Sequence, residues 1–220
     1  MGWPNPKSYR EWSWYFVEKI YDLQDDVIVW GNRFDGQPDM DDIKFDCMIS
    51  TDCTDCHCDE PFPASPDMYA KKFNGPGLKY EVGVCIKTGY IVWISGPFPG
   101  GNSEPTIFRE GLMLELEEWE LVECDTGLKG NPKARLPYQA LSKEERKEKS
   151  IVRGRHENVN GRLKHFNVLC ASFHHSAGRD REEMFYKHGM CFAAVAVITQ
   201  LKFENGESLY DVDYDVHYST

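Results

Sequence analysis

The sequence predicts an α/β fold, a mixed sheet carrying helices on its faces, and three observations lead there. Short apolar runs bounded by turn residues alternate with longer stretches of helical spacing. Two of those runs, 80–86 and 90–95, are separated by Lys87-Thr88-Gly89, which is a hairpin signature and therefore an antiparallel pair. The overall order of helix, strand, hairpin, helix, strand, short strand and helices is that of a layered sheet-and-helix domain.

Residues 9–23 place Trp14, Phe16, Val17, Ile20 and Tyr21 at helical spacing, so a first helix packs on the rest. Residues 44–51 read as a strand with Asp52 at its end, and 65–78 as a loop punctuated by Pro and Gly. After the hairpin, Gly96-Pro97-Phe98-Pro99-Gly100-Gly101 is expected to stop the second strand abruptly. A helix over 106–116 follows, then a strand over 119–124 that ends at Asp125, and a short strand over 134–136. Ser142 with Glu145 forms a capping box that opens a charged helix. Residues 151–171 carry one apolar face at positions 152, 159, 163, 166 and 170, and 182–201 form a buried last helix.

Composition narrows the classes. The chain of 220 residues fits one well-cored domain. Its longest mostly apolar run, 190–201, is too short to cross a bilayer, and the amino terminus lacks a signal pattern, which predicts a soluble intracellular protein with no membrane partner. Eight cysteines in apolar stretches read as free thiols. The net charge of −11 excludes a surface that grips nucleic acid all round, yet the window 129–165 holds eleven Lys or Arg against four Glu. A local phosphate-binding face is compatible with that asymmetry.

Asp52, Asp125 and Glu157 end or occupy separate elements and could meet at one point. Carboxylate oxygens are what Mg²⁺ prefers, and a pair of such ions can act on both sides of a phosphodiester. On a helix, Glu157 shares a face with Asn160, Gly161 and Lys164, flanked by Arg153, Arg155 and Arg162. The cluster Cys53-Cys56-His57-Cys58 competes as half of a zinc site, its other half to come from Cys85, Cys124 or His174-His175.

Several linked segments carry a resemblance. They are Ser50-Thr51-Asp52-Cys53-Thr54-Asp55 with Glu60-Pro61 after it, the run 69–84, the run 91–108, Cys124-Asp125-Thr126-Gly127-Leu128-Lys129-Gly130, and Arg155-His156-Glu157-Asn158-Val159-Asn160-Gly161-Arg162-Leu163-Lys164. In this order they resemble the Harbinger/PIF group of transposase-derived DDE endonucleases, over about 46–169. Cys53 departs from that pattern where the family has Gly, and Glu104 where it often has Asp. The resemblance implies a ribonuclease H-like fold and a metal-dependent endonuclease or transposase catalytic domain that cleaves or transfers phosphodiester bonds. It also implies that Asp52, Asp125 and Glu157 are catalytic and ligate one or two Mg²⁺ or Mn²⁺ ions.

Further expectations follow from it. DNA is the partner, contacted through Lys129, Arg153, Arg155, Arg162 and Lys164, and a separate DNA-binding protein could supply target recognition. The location is the nucleus if the source is eukaryotic. The expected organisation is an N-terminal helical segment over 1–43, the endonuclease domain over 44–206 and a tail over 207–220. The competing functions are a catalytically inactive domesticated remnant that binds without cutting, and a zinc-binding interaction module.

Overall fold

Period-two alternation decides the sheet. In the computed structural model, which describes residues 5–36, 47–140, 142–174, 180–207 and 209–212, strand β3 (Gly75–Cys85) turns Leu78, Tyr80, Val82 and Val84 into one hydrophobic cluster. Its odd residue Cys85 belongs to a second cluster with Ile49, Phe108 and Leu112. A strand buried on both faces must be covered on both. Helices accordingly pack on each side.

The described strands form one six-stranded sheet. Strand β1 (Cys47–His57) lies at its centre, antiparallel to β3 with Asp52 opposite Val82, and parallel to β5 (Leu121–Glu123). Strands β2 (Tyr69–Ala70) and β4 (Ile91–Pro99) both pair with β3 from its other side. The parallel strand β6 (Ala134–Arg135) extends the sheet beyond β5.

One face is covered by α4 (Lys143–Leu163), α5 (Asn167–Cys170) and α6 (Arg181–Glu204). The helix α1 (Pro6–Tyr21) and the single turn α2 (Gln24–Val27) lie against α6. The other face carries α3 (Glu104–Glu110) and the turn Trp30–Phe34, which pack into the second cluster through Phe108, Trp30 and Phe34. The capping box reads as expected, with Glu145 N–H donating to Ser142 Oγ at 3.0 Å and Ser142 N–H to Glu145 Oε2 at 3.1 Å.

Several expectations are corrected. Strand β1 runs through Asp52 to His57, because Thr54, Cys56 and Cys58 give its second half a buried face; residues 44–46 lie outside the described residues. The Gly96-Pro97 step does not stop β4, which continues to Pro99. Among the described residues β4 pairs with β3 alone, so a proline without an N–H costs its ladder nothing on the open side. The charged helix and the first part of the apolar helix after it are one helix, α4, which ends at Leu163, and 167–170 form the separate turn α5. Phe16 and Tyr21 point outward from α1, while Trp14, Val17 and Ile20 pack on the core. Leu209 and Val212, beyond α6, are buried against the core. Among the described residues no helix is long and apolar enough to cross a membrane.

The turn Trp30–Phe34 is stapled to the start of β5 by a buried ion pair. Arg33 donates from Nε to Glu120 Oε1 at 2.9 Å and from the guanidinium to Oε2 at 3.3 Å, under the rings of Trp30 and Phe34, each 4.0 Å from the Arg33 carbon. Breaking a buried pair leaves an uncompensated charge, so Glu120→Ala should cost about 3–5 kcal/mol in urea unfolding, and the apolar double replacement Arg33→Met/Glu120→Leu clearly less. Equal losses in the two proteins would contradict this role for the pair.

Candidate functional site

Helix α4 lies along β1 and is tied to it at successive levels. Ser50 Oγ meets His156 Nδ1 at 2.8 Å, Asn160 Nδ2 donates to Asp52 Oδ2 at 3.1 Å, and Lys164 Nζ donates to the Asp55 carbonyl at 2.8 Å. Positions 156, 160 and 164 recur every four residues and share one helix face, while 50, 52 and 55 follow the strand. Asp52 therefore sits at the middle level. Its Oδ1 accepts from the Cys53 N–H at 2.8 Å, so both carboxyl oxygens are held.

The opening beside Asp52 comes from the neighbouring strand. Strand β5 pairs with β1 only as far as Ser50, opposite Glu123. Beyond it the chain leaves the sheet and Asp125 caps the turn Thr126–Leu128, Oδ1 accepting from the Gly127 N–H at 2.6 Å. A cavity of about 140 Å³ forms there, lined by Ser50, Asp52, Asp125, Lys149, Arg153, His156 and Glu157 among others. Its floor includes the buried ion pair of Lys149 with Glu123.

Sequence reasoning noted Glu104 only as a departure from the family pattern and did not place it at the site. Glu104, in the first turn of α3, lines a second, smaller cavity with Asp52, Cys53, Glu81 and Asp125. A Cβ on Gly127 would strike Glu104 Oε2 and lie 2.8 Å from Asp125 Oδ1, so both carboxylates close on that glycine. The signal available was Ser103-Glu104-Pro105, an N-cap with acid in the first turn. It fixes a helix start and says nothing about which strand end lies opposite.

Crowded acids resist ionisation. The Asp52 carboxyl is pushed up to about 7, first by burial and then by the charges of Glu104 and Asp125. Glu104 is raised by burial and by Asp125, and burial lifts Glu81 to about 7. Hard oxygens of like charge at one opening suit Mg²⁺ or Mn²⁺, and Asn160 adds a buried Oδ1 without a partner. The donor set therefore fits such an ion. Among the described residues, however, no three His, Cys, Asp or Glu side chains converge at ligating distance. The expectation of full convergence is corrected to a shared cavity. Glu157 stands at its mouth, two-thirds exposed and 3.5 Å from Arg153.

The five expected DNA contacts separate. Arg153 and Lys129 are exposed, Arg153 beside the acids and Lys129 just after the turn that Asp125 caps. Arg155 is buried, its guanidinium donating to the carbonyls of Cys85, Ile86 and Tyr210. Position 155 falls on the apolar stripe with Val152 and Val159, so the expectation that Arg155 faces DNA is corrected. Arg162 reaches toward Glu207 and Phe203 and lines a separate cavity. Lys164 is half-buried on the Asp55 carbonyl.

The cysteine cluster does not form a zinc half-site. Strand alternation sends Cys56 and Cys58 into the core and Cys53 to the opposite face, beside Glu81. His57 stacks on Phe73 at 3.6 Å, His174 pairs with Asp59, and His175 lies outside the described residues. Cys53 also leaves Asp52 well aimed, because β1 continues through it without a turn.

A family model described as DDE superfamily endonuclease matches residues 51–200, a span that includes Asp52, Glu104, Asp125 and Glu157. No curated protein and no solved structure matches the chain.

The raised carboxyl has a signed consequence. The folded chain holds the Asp52 proton to about 7, against an ordinary value of 3.8. The stability this adds is full below the ordinary carboxylate range and is lost as pH rises through about 7. His156 and His188, lowered to about 4 by burial, act oppositely, their contribution present above the imidazole range and lost as pH falls. Without divalent cations, Asp52→Asn should lose less stability than the parent between about pH 5 and about pH 8 in urea titrations. A stability difference that stays constant across that range would contradict the raised carboxyl.

Proposed function

The chain belongs to the DDE superfamily endonucleases, and on that premise we propose that it is a metal-dependent DNA endonuclease of the Harbinger/PIF type, with Asp52, Asp125 and Glu157 as its catalytic carboxylates. The observation that carries the reading is the buried Asp52, held at both oxygens by Cys53 N–H and Asn160 and pushed up to about 7 by burial and then by the charges of Glu104 and Asp125. Repulsion of that kind is what a divalent cation would relieve.

The strand order supports a ribonuclease H-like fold, since antiparallel β1, β3 and β4 are followed by β5 and β6 parallel to β1. Asp52, Asp125 and Glu157 would hold one or two Mg²⁺ or Mn²⁺ ions, with Glu104 beside them. Bound there, the ions would supply Lewis-acid polarisation of a phosphodiester. The chain's own residues do the positioning. Cys53 N–H and Asn160 fix the direction of the Asp52 carboxyl, and the Gly127 N–H fixes that of Asp125. Arg153 holds Glu157 at the mouth, and a substrate phosphate that takes Arg153 frees Glu157 to turn inward. Lys129 is exposed for a neighbouring phosphate. Target choice, strand transfer and a nuclear location belong to this reading as expectations from the resemblance.

One observation favours the second reading, a relative that binds DNA without cutting: Glu157 is engaged by Arg153 and not gathered with the other acids. The test is nicking of supercoiled DNA with Mn²⁺, beside melting with and without the ion. The endonuclease reading expects the parent to nick and to melt higher with Mn²⁺. Asp125→Asn and Glu157→Gln should each lose roughly a hundredfold or more of the nicking rate, and Asp125→Asn the Mn²⁺ stabilisation as well. A parent that binds DNA and never nicks it would establish the non-cutting reading instead.

A further inference from the structure

The charge asymmetry of the chain has a second, smaller centre. From 68 to 80 the sequence has Lys71, Lys72 and Lys79 and no acid, in a chain with 36 Asp and Glu. This stretch forms the tight hairpin between β2 and β3, in which Tyr69 pairs with Pro76 and Ala70 with Gly75. Lys71 and Lys72 occupy its tip. Both are exposed, and neither has a hydrogen bond or ion pair among the described residues.

The tip itself is held firmly. Phe73 stacks on the His57 ring at 3.6 Å, which docks the turn on the last residue of β1. The Phe73 N–H donates to the Ala70 carbonyl at 3.1 Å, and Tyr69 Oη to Asn74 Oδ1 at 3.1 Å. Asn74 takes the left-handed conformation, φ 53°, that closes the turn. Behind it, the Gly101 N–H donates to the Asp67 carbonyl at 2.8 Å, an approach that any side chain at 101 would block, since its Cβ would lie 2.6 Å from that oxygen.

We propose that this hairpin is a second DNA-backbone contact, in which Lys71 and Lys72 take phosphates at the end of the carboxylate opening remote from Arg153. The inference rests on the endonuclease reading and adds to it a direction for the substrate strand. Along β1 the order is Ser50 with His156 near Arg153, then Asp52 with Asn160, then Asp55 with Lys164, then His57 with Phe73. A strand laid over Asp52 thus meets Arg153 on one side and the hairpin lysines on the other. The lysine at 72 is within electrostatic reach of the acids, for its charge lowers both Asp52 and Glu104 against the trend of burial. Tyr69, 48% exposed on the same hairpin, offers an aromatic face beside the phosphate contacts. Phosphates need cations flanking an acidic centre, because carboxylates alone repel the substrate they act on.

The test is DNA affinity of the full chain, measured by fluorescence anisotropy with labelled duplexes of two unrelated sequences over a salt series, in chelator and again in Mg²⁺. Lys71→Ala/Lys72→Ala should bind both sequences roughly tenfold more weakly, with the slope of log affinity against log salt shallower by about two. Lys71→Gln/Lys72→Gln should behave alike, and Lys19→Ala, on α1, should match the parent. Unchanged melting would show that the exposed substitutions leave the fold intact. A parent that binds DNA, beside double variants with its affinity and its salt slope, would overturn the hairpin and leave the endonuclease reading standing. A parent that binds no DNA at any salt would overturn that reading and the hairpin with it.

Discussion

The docking of α4 along β1 is the constraint on which the rest depends. A helix rises about 1.5 Å per residue and a strand about 3.3 Å, so the two stay in step only over a short span. Here the span is fixed by Ser50 with His156, Asp52 with Asn160 and the Asp55 carbonyl with Lys164. Apolar burial of Val152, Val159 and Leu163 supplies the attraction and has no preferred register. The polar contacts supply the register, and with it the position of Glu157 one turn from Asn160. The same arrangement that holds the helix down also orients the central carboxylate.

Stability and function pull against each other at this point. The folded state places Asp52, Glu104 and Asp125 around one opening, at a cost visible in the raised carboxyls. Buried ion pairs nearby, Arg33 with Glu120 and Lys149 with Glu123, are compensated inside the protein. At the opening, Asp52 accepts from the Cys53 N–H and from Asn160 and Asp125 from the Gly127 N–H, while burial and mutual charge still raise Asp52 and Glu104. Arg155 shows the converse, a cation drawn inside by carbonyl oxygens and lost to the surface.

Much of this was legible in the amino-acid sequence, and the misses have physical causes. Helical periodicity located α1, α4 and α6, turn residues located the β3–β4 hairpin, and Ser142 with Glu145 marked the start of α4. Asp52 was read as a strand end because the acidic and cysteine-rich residues after it look like a loop. Only the burial of Cys56 among residues of α4 and α6 gives that stretch the packed face of a strand. Glu104 escaped because its neighbours in space, Asp125 and Asp52, are set by the path of the chain across the sheet. Arg155 was counted by charge alone, when position 155 falls on the apolar stripe. The hairpin lysines were overlooked for the same reason, since a charge tally over 129–165 does not see two cations on a rigid turn beside β1.

The central claim is that Asp52 gives up a proton when a divalent ion enters the site. Titrating Mn²⁺ calorimetrically near neutral pH in two buffers of different ionisation enthalpy counts the protons released per ion bound. The account predicts a buffer-dependent enthalpy corresponding to a substantial fraction of one proton, growing toward lower pH and absent in Asp52→Asn. Binding with the same enthalpy in both buffers would contradict it, as would a release that persists in the variant.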